Sequence, residues 1–387
     1  MYPHQKERLD AALEKFGVDA LVATSAADVA YLTGFWSFSC SVYPTDIAAV
    51  YCKAGTALVL PTIDAPAFSA GDAAADHVAC HGRFFVNVAE RAEEHARRAA
   101  RLAAEPADTA AEALARVLEA LGLRGARIGL DDPAPPDAVP IAARVTRLHL
   151  TSAPGAVASA RLVKGPYEIE CLAQALRIAE EAIHTVLGEL KTGTTEREAI
   201  ELYERAVSAR RGTPYAAMIA FGPSAALPAA PPGDRALRSG ELVRFDVGCV
   251  FKGYRGDVAR MGVLGEPNAR AQRAYDAVEA GVQAGLDAIR PGVDGGAVFE
   301  TVVAAVRGAG LPEFWRHHVG HGIGLEPAEA PWLRPGGEPL EAGMMLRVEA
   351  PYYELGAFGA SVKETVLVTR GGASVVNRSH RGLVALD

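Results

Sequence analysis

Residues 241–264 read ELVRFDVGCVFKGYRGDVARMGVL and place two aspartates inside an apolar β-hairpin. Apolar residues fill both halves, and Lys252-Gly253 between them has the composition of a tight turn. Asp246 lies in the first half and Asp257 in the returning half. A carboxylate inside an apolar strand needs neutralising, because burying an unpaired charge costs several kcal/mol. The hairpin therefore predicts a charged site on a β-sheet.

Two further acids lie in apolar, strand-like segments near the C-terminus. Glu349 stands in MMLRVEAP and Glu364 in SVKETVLV. Four converging carboxylates carry about four negative charges, which two divalent metal ions would cancel. Ion pairs with arginines are the alternative, and the sequence offers three of them: Arg244, Arg260 and Arg347.

His321 completes the set, in the segment HHVGHGIGLE that spans residues 317–326. The glycines on both sides of it let the backbone pass close to a site. Imidazole is a common ligand of transition metals. The five residues together predict a site for two divalent ions, with the ligands Asp246, Asp257, His321, Glu349 and Glu364.

Composition and charge exclude several other classes of protein. The chain has 387 residues and a net charge of −8, and it has no long basic run, so we expect no nucleic-acid partner. It has no apolar run of about eighteen residues and no signal-peptide pattern, so we expect no membrane association and a cytoplasmic location. The five cysteines are scattered, which argues against a disulfide framework and a thiolate zinc site.

The pattern along the chain predicts two domains. The first 150 or so residues alternate short apolar strands with Ala-rich helices, which is typical of an α/β layer. The segment TSAPG at 151–155 breaks this pattern, so we place the domains at 1–155 and 156–387. Antiparallel strands alternate with long helices in the second domain, which predicts an α+β fold. The predicted helices begin at Tyr167 and span 270–289 and 297–308.

These motifs, in this order and spacing, resemble the creatinase/prolidase/methionine aminopeptidase superfamily, the pita-bread metallopeptidases. FDVG at 245–248 and GDVAR at 256–260 resemble its paired aspartates, and GHGIGLE at 320–326 resembles its metal histidine. AYLTGF at 30–35 looks like the signature of its N-terminal domain. The resemblance covers nearly the whole chain. It implies a pita-bread catalytic domain after a smaller α/β creatinase-like domain, in a homodimer.

The resemblance also implies a role for each predicted ligand. Asp246 would chelate one metal, Asp257 and Glu364 would bridge the pair, and His321 and Glu349 would complete the other. An oxygen-rich set with one imidazole favours Mn²⁺, with Co²⁺, Fe²⁺ or Zn²⁺ as alternatives. Two such ions can hold a hydroxide that attacks a C–N bond.

Two positions depart from the peptidases of this family, which carry two further histidines beside the metals. Ala229 and Ala328 stand at those positions. Well-placed acid–base groups contribute about 10²–10⁴ in rate, so their loss should handicap cleavage before proline. The change describes either a slow peptidase or a pocket reshaped for another substrate.

The remaining candidate site residues come from the same resemblance. His317 matches an active-site histidine of the family, and we predict that it is catalytic together with Glu349. Trp36 and Tyr43 follow the N-terminal signature, in a region that approaches the partner's active site in family dimers. We predict substrate contacts for both, as well as for the pocket at Ala229 and Ala328.

Three functions follow as hypotheses. The first is a dinuclear dipeptidase or aminopeptidase that releases a residue before proline. The second is a metal-dependent hydrolase or lyase of a small non-peptide metabolite. The third is a peptide-binding relative without catalysis.

Overall fold

A computed structural model describes residues 2–132, 136–229 and 231–386. The chain divides into two compact units, the first extending to Arg161 and the second beginning at Leu162. The predicted boundary lies six residues earlier, because the helix Ala156–Arg161 packs on the helix Pro3–Phe16 of the first unit. In the described ranges no helix is long and apolar enough to cross a membrane.

The first unit is an α/β layer built on one mixed sheet. Its strands are β1 (Ala20–Ala23), β2 (Ala48–Cys52), β3 (Gly55–Pro61), β4 (His77–His81), β5 (Arg127–Leu130) and β6 (His149–Ser152). Their order is β4-β3-β2-β1-β5-β6, with β2 antiparallel to both of its neighbours and the other pairs parallel. Its helices are α1 (Pro3–Phe16), α2 (Ala26–Thr33), α3 (Ser39–Val42), α4 (Ala65–Ala70), α5 (Glu94–Ala104), α6 (Ala110–Ala120), α7 (Ala138–Thr146) and α8 (Ala156–Arg161).

The second unit packs long helices against a larger sheet. The helices are α9 (Pro166–Leu187), α10 (Glu196–Ala209), α11 (Ala269–Ala288) and α12 (Gly295–Gly308). The strands are β7 (Thr213–Phe221), β8 (Leu242–Phe251), β9 (Tyr254–Leu264), β10 (Gly320–Gly322), β11 (Glu329–Trp332), β12 (Met345–Glu349), β13 (Tyr352–Glu354), β14 (Phe358–Ala360), β15 (Lys363–Thr369), β16 (Gly372–Val375) and β17 (Val384–Leu386). The main sheet has the order β11-β10-β12-β15-β9-β8-β7, while β13 and β14 pair separately.

The predicted hairpin is β8 and β9. Lys252 and Gly253 join the strands with φ values of 50° and 84°, the left-handed conformation that a tight two-residue hairpin turn requires. Asp246 pairs with Ala259, and Gly248 pairs with Asp257. Directly paired residues share a face and successive residues alternate, so the two aspartates lie on the same face of the sheet.

The register of the neighbouring strands brings four more side chains to this face. Lys363 pairs with both Ala259 and Glu349, and Arg347 pairs with His321. We call this side the Asp246 face, and its charged and imidazole residues include Asp246, Asp257, His321, Arg347, Glu349 and Lys363. Arg244, two residues before Asp246 in β8, lies on the same face. Glu364 follows Lys363 directly and pairs with Val348, so it points to the opposite side, which we call the Glu364 face.

Candidate active site

A lysine stands at the centre of the acids on the Asp246 face. The Nζ of Lys363 donates to Asp246 Oδ1 at 2.5 Å and lies 3.4 Å from Asp257 Oδ1 and 3.6 Å from Glu349 Oε2. All four side chains are at least nine-tenths buried. One ammonium group therefore faces three carboxylates that come from three different strands.

Arg347 supplies a second cation beside the first. Its Nη1 donates to Asp257 Oδ2, and its Nη2 lies 3.4 Å from Glu349 Oε2. Burial alone would raise the pKa of Glu349, but Arg347 and Lys363 outweigh it and hold that pKa well below its usual range. Glu349 is therefore ionised and lies between the two cations.

The imidazole of His321 is oriented by the same arginine. Arg347 Nη2 lies 2.6 Å from His321 Nε2, and a guanidinium can only donate, so Nε2 is the acceptor. The other ring nitrogen, Nδ1, then carries the proton and donates to the carbonyl of Gly322 at 2.7 Å. Burial lowers the pKa of His321 in agreement with this neutral form. Its free lone pair is thus taken by Arg347.

Three more side chains form the edge of this cluster. Arg244 Nη1 lies 3.4 Å from Asp246 Oδ2, and its Nη2 donates to the carbonyl of Leu227. On the other side of Glu349, Oε1 lies 3.6 Å from His318 Nδ1 and 4.0 Å from Arg316 Nη2. Burial lowers the pKa of His318 to about 4, so it is neutral near pH 7.

The structure corrects the predicted position of Glu364, which does not join the other four ligands. Its Oε1 lies 2.9 Å from Arg260 Nη2 and 3.8 Å from Arg381 Nε, on the Glu364 face. Arg260 also contacts Glu180 and donates to Ser379 Oγ at 2.9 Å. Burial raises the pKa of Glu364 to about 7, although Arg260 and Arg381 act in the opposite direction. A bridge from Asp257 to Glu364 across a metal pair is therefore incompatible with the strand register.

The residues of the Asp246 face do not fit the two divalent ions predicted from the sequence, Mn²⁺ or another. Three carboxylates bring three negative charges, and three cations already balance them: Arg244, Arg347 and Lys363. Two divalent ions would add four positive charges to a buried neutral group, which is strongly unfavourable. Among the residues that the structure describes, no group of three or more His, Cys, Asp or Glu could hold a metal ion. Ion pairing, the alternative considered from the sequence, is what these residues do.

Two of the remaining predicted residues, His317 and Ala229, lie in segments that contact this cluster. His317 is exposed, and its ring centroid lies 4.4 Å from that of His318, so His318 rather than His317 stands next to Glu349. Ala229 is exposed, two residues after Leu227, whose carbonyl Arg244 binds.

The other three candidates keep their roles as predictions. Ala328 is half-buried and precedes Glu329, which pairs with Lys164. Trp36 and Tyr43 belong to the first unit and are 39 % and 59 % exposed. Their exposure leaves both aromatic side chains accessible on that unit.

A cleft of about 420 Å³ opens beside the cluster in the second unit. Residues 310–316 line one part of it, and residues 351–353 line another. Arg316 therefore lines the cleft and also lies 4.0 Å from the carboxylate of Glu349. The ring of Tyr353, which also lines the cleft, packs under the guanidinium of Arg244 at 5.3 Å. The cleft thus reaches the charged cluster through aromatic and arginine side chains.

Lys363 and His318 are the site residues that sequence reasoning missed. Lys363 and Glu364 are adjacent, so only one of them can share a face with Asp246, but the sequence does not state which. Arg347 precedes Glu349 by two residues, and this spacing places both on one face of any strand. The spacing of Arg347 and Glu349 therefore indicated, from the sequence alone, that an arginine lies beside the predicted metal ligands.

Comparison with known proteins agrees with the fold and the family. The model of metallopeptidase family M24 matches residues 170–370. An uncharacterized peptidase of Staphylococcus saprophyticus is 34 % identical over 215 residues, 55 % of this chain and 61 % of that protein. The match thus spans about three fifths of the length of this curated relative. An uncharacterized peptidase of Staphylococcus aureus is 32 % identical over 219 residues, which are 62 % of its length.

Solved structures match along the full length of the chain. An Xaa-Pro dipeptidase from Bacillus anthracis has a TM-score of 0.78 at 23 % identity and covers 99 % of both chains. Dipeptidase PepE from Mycobacterium ulcerans has a TM-score of 0.77 at 26 % identity, over 100 % of this chain and 99 % of that one. These matches confirm the predicted α+β pita-bread fold with its smaller N-terminal domain. The family is described as metal-dependent, whereas the site of this chain is filled by side-chain cations. By its sequence and its fold, the chain belongs to metallopeptidase family M24.

Proposed function

We propose that this chain is a hydrolase of a C–N bond in a small non-peptide metabolite, and that it acts at the Asp246 face. The observation that carries the proposal is the pair of cations, Arg347 and Lys363, among the carboxylates. They leave no place for the metal-bound hydroxide on which the predicted dinuclear peptidase depends. The second hypothesis drawn from the sequence is therefore favoured, without its metal.

Glu349 links the charged cluster to the groups that can move a proton. Its Oε2 faces Arg347 and Lys363, while its Oε1 faces His318 and Arg316. The Nδ1 of His318 accepts the backbone N–H of Gly320 at 3.1 Å, which orients the ring, and the nearby carboxylate of Glu349 stabilises the protonated form of the imidazole during proton transfer. His318 is thus the group to exchange protons with water and the leaving nitrogen, and His317 lies against it on the exposed side.

The adjacent cleft fits a small substrate. Its volume of about 420 Å³ lies in the range of pockets that bind small molecules, roughly 300–1,000 Å³. Arg316 would bind an anionic group of the substrate there, because it lines the cleft and carries a positive charge. The substrate would then have its C–N bond near His318 and Glu349.

The names of the structural neighbours suggest the competing function, cleavage before proline. The neighbour from Bacillus anthracis is an Xaa-Pro dipeptidase, and the family resemblance would require histidines where this chain has Ala229 and Ala328. Their absence supports a non-peptide substrate. A homodimer and a cytoplasmic location remain part of the proposal, with Trp36 and Tyr43 as exposed contacts for a partner or a substrate.

A paired substrate screen tests the proposal. The full chain, dialysed against EDTA, is assayed with Xaa-Pro peptides and with non-peptide amides, lactams, amidines and guanidino compounds, each with and without Mn²⁺. We expect turnover of a non-peptide compound that is independent of Mn²⁺. Cleavage of Xaa-Pro peptides that requires Mn²⁺ would instead establish the dinuclear peptidase. Binding of peptides without turnover of any compound would favour a non-catalytic relative.

A further inference from the structure

We infer that Lys363 and Arg347 stand in place of two metal ions and, together with Arg244, balance the charge of the three carboxylates, so that the site is complete without any metal. The inference concerns the cluster alone and does not depend on the substrate of the proposed function. Lys363 Nζ has three carboxylates within 3.6 Å, as a cation held by oxygen ligands would have. An ammonium group is a compact point charge and suits such a cage.

The two cations share carboxylates in the way that two metals in one site do. Asp257 presents Oδ1 to Lys363 and Oδ2 to Arg347, and so it bridges them. Glu349 bridges them through a single oxygen, Oε2. His321 then gives its lone pair to Arg347. Each donor atom that a metal pair would need on this face therefore already has a side-chain nitrogen within 4.0 Å.

A cation that belongs to the chain differs from a metal ion in two measurable ways. It cannot be removed by a chelator, and it cannot be exchanged for another ion. Removing the side-chain cation by mutation also leaves buried carboxylates without a partner. Their uncompensated negative charge can then bind a free cation. The cluster is therefore a latent metal site, closed in the native chain by two side chains.

Metal binding by designed variants tests this inference. In Lys363→Glu combined with Arg347→Thr, a fourth carboxylate replaces the ammonium group and the lone pair of His321 becomes free. We expect this variant to bind Mn²⁺ stoichiometrically and at least roughly tenfold more tightly than the native chain, by calorimetry and elemental analysis. The native chain, treated identically after EDTA, should retain no stoichiometric Mn²⁺.

A matched control separates site binding from a general effect of charge. Arg273→Glu combined with Arg290→Thr makes the same change of charge as the double variant, at two exposed positions outside the cluster. It should bind Mn²⁺ no better than the native chain. Equal binding by this control would mean that any added acid attracts the ion, and it would overturn the inference.

A single variant keeps the test decisive if the double variant does not fold. Lys363→Gln removes one cation and keeps a polar side chain, and we expect its Tm to fall by about 5–15 °C. Mn²⁺ should recover part of that loss in Lys363→Gln and leave the Tm of the native chain unchanged. Two Mn²⁺ ions bound per native chain, or a folded variant that neither binds nor responds to Mn²⁺, would overturn the inference. Either result is independent of the substrate screen.

Discussion

Two faces of one sheet neutralise their buried acids with the same kinds of side chain, but they serve different purposes. On the Glu364 face, Arg260 joins Glu364 and Glu180 and donates to Ser379, so it ties β9 to α9, β15 and the C-terminal segment. On the Asp246 face, Lys363 and Arg347 hold three acids next to imidazoles and a cleft. Buried charge alone therefore does not mark a site; charge that reaches a proton carrier and a cavity does.

The largest difference between the faces should appear in catalysis. Glu349→Gln removes the carboxylate that links the cations to His318, and we expect kcat/KM for the substrate found by screening to fall by about 10²–10⁴. Glu364→Gln on the opposite face should stay within about twofold, because the ion pairs of Glu364 among the described residues are with Arg260 and Arg381, outside the Asp246 face. Steady-state kinetics on both variants decides the matter. A comparable loss in Glu364→Gln would return this residue to the site.

Stability should show the opposite order. Arg260→Met leaves Glu364 and Glu180 buried without their guanidinium, and we expect the free energy of unfolding to fall by about 3–5 kcal/mol. Denaturant titration measures the change. The exposed Arg273→Met is the control and should stay within about 0.5 kcal/mol. If Arg260→Met unfolds at the same denaturant concentration as the native chain, the Glu364 face has no structural role.

The sequence predicted most of the fold and named four residues that the structure brings to one face, namely Asp246, Asp257, His321 and Glu349. The misplacement of the fifth, Glu364, has one physical cause. Apolar alternation around Asp246 and Asp257 was sufficient for the hairpin, and the structure has it as β8 and β9. The face of a strand residue depends on register, however, and a shift of one residue exchanges the two faces. Register is set by long-range pairing, here of Lys363 with Glu349, which a single sequence does not state. Glu364 was therefore predicted where Lys363 lies.

A smaller effect tests whether the Asp246 face acts as one unit. We expect Lys363→Met and Asp246→Asn each to destabilise the protein, because each removes one side of the 2.5 Å contact between them. The double variant should be more stable than the sum predicts, with a coupling energy of about 1–3 kcal/mol by denaturant titration. Lys363→Met combined with Glu364→Gln is the control across the sheet, and its coupling energy should be smaller, because the two side chains point to opposite faces. Coupling of equal size in the control would show that the two faces are not independent.

The smallest expected effect concerns the two alanines. If the absence of metals is what limits peptidase chemistry, Ala229→His with Ala328→His should change Xaa-Pro hydrolysis by less than about twofold in the native background, since two added imidazoles have no metal-bound water to assist. The same pair, placed in Lys363→Glu with Arg347→Thr and loaded with Mn²⁺, should increase that hydrolysis above the Mn²⁺-loaded parent. A panel of Xaa-Pro peptides is assayed on the native chain and the double variant, each with and without the two histidines. The comparison separates the effect of the histidines from the effect of the metal ions. A large gain from the histidines alone would show that the native cluster already supports peptide cleavage, because only the proton carriers would then have been missing.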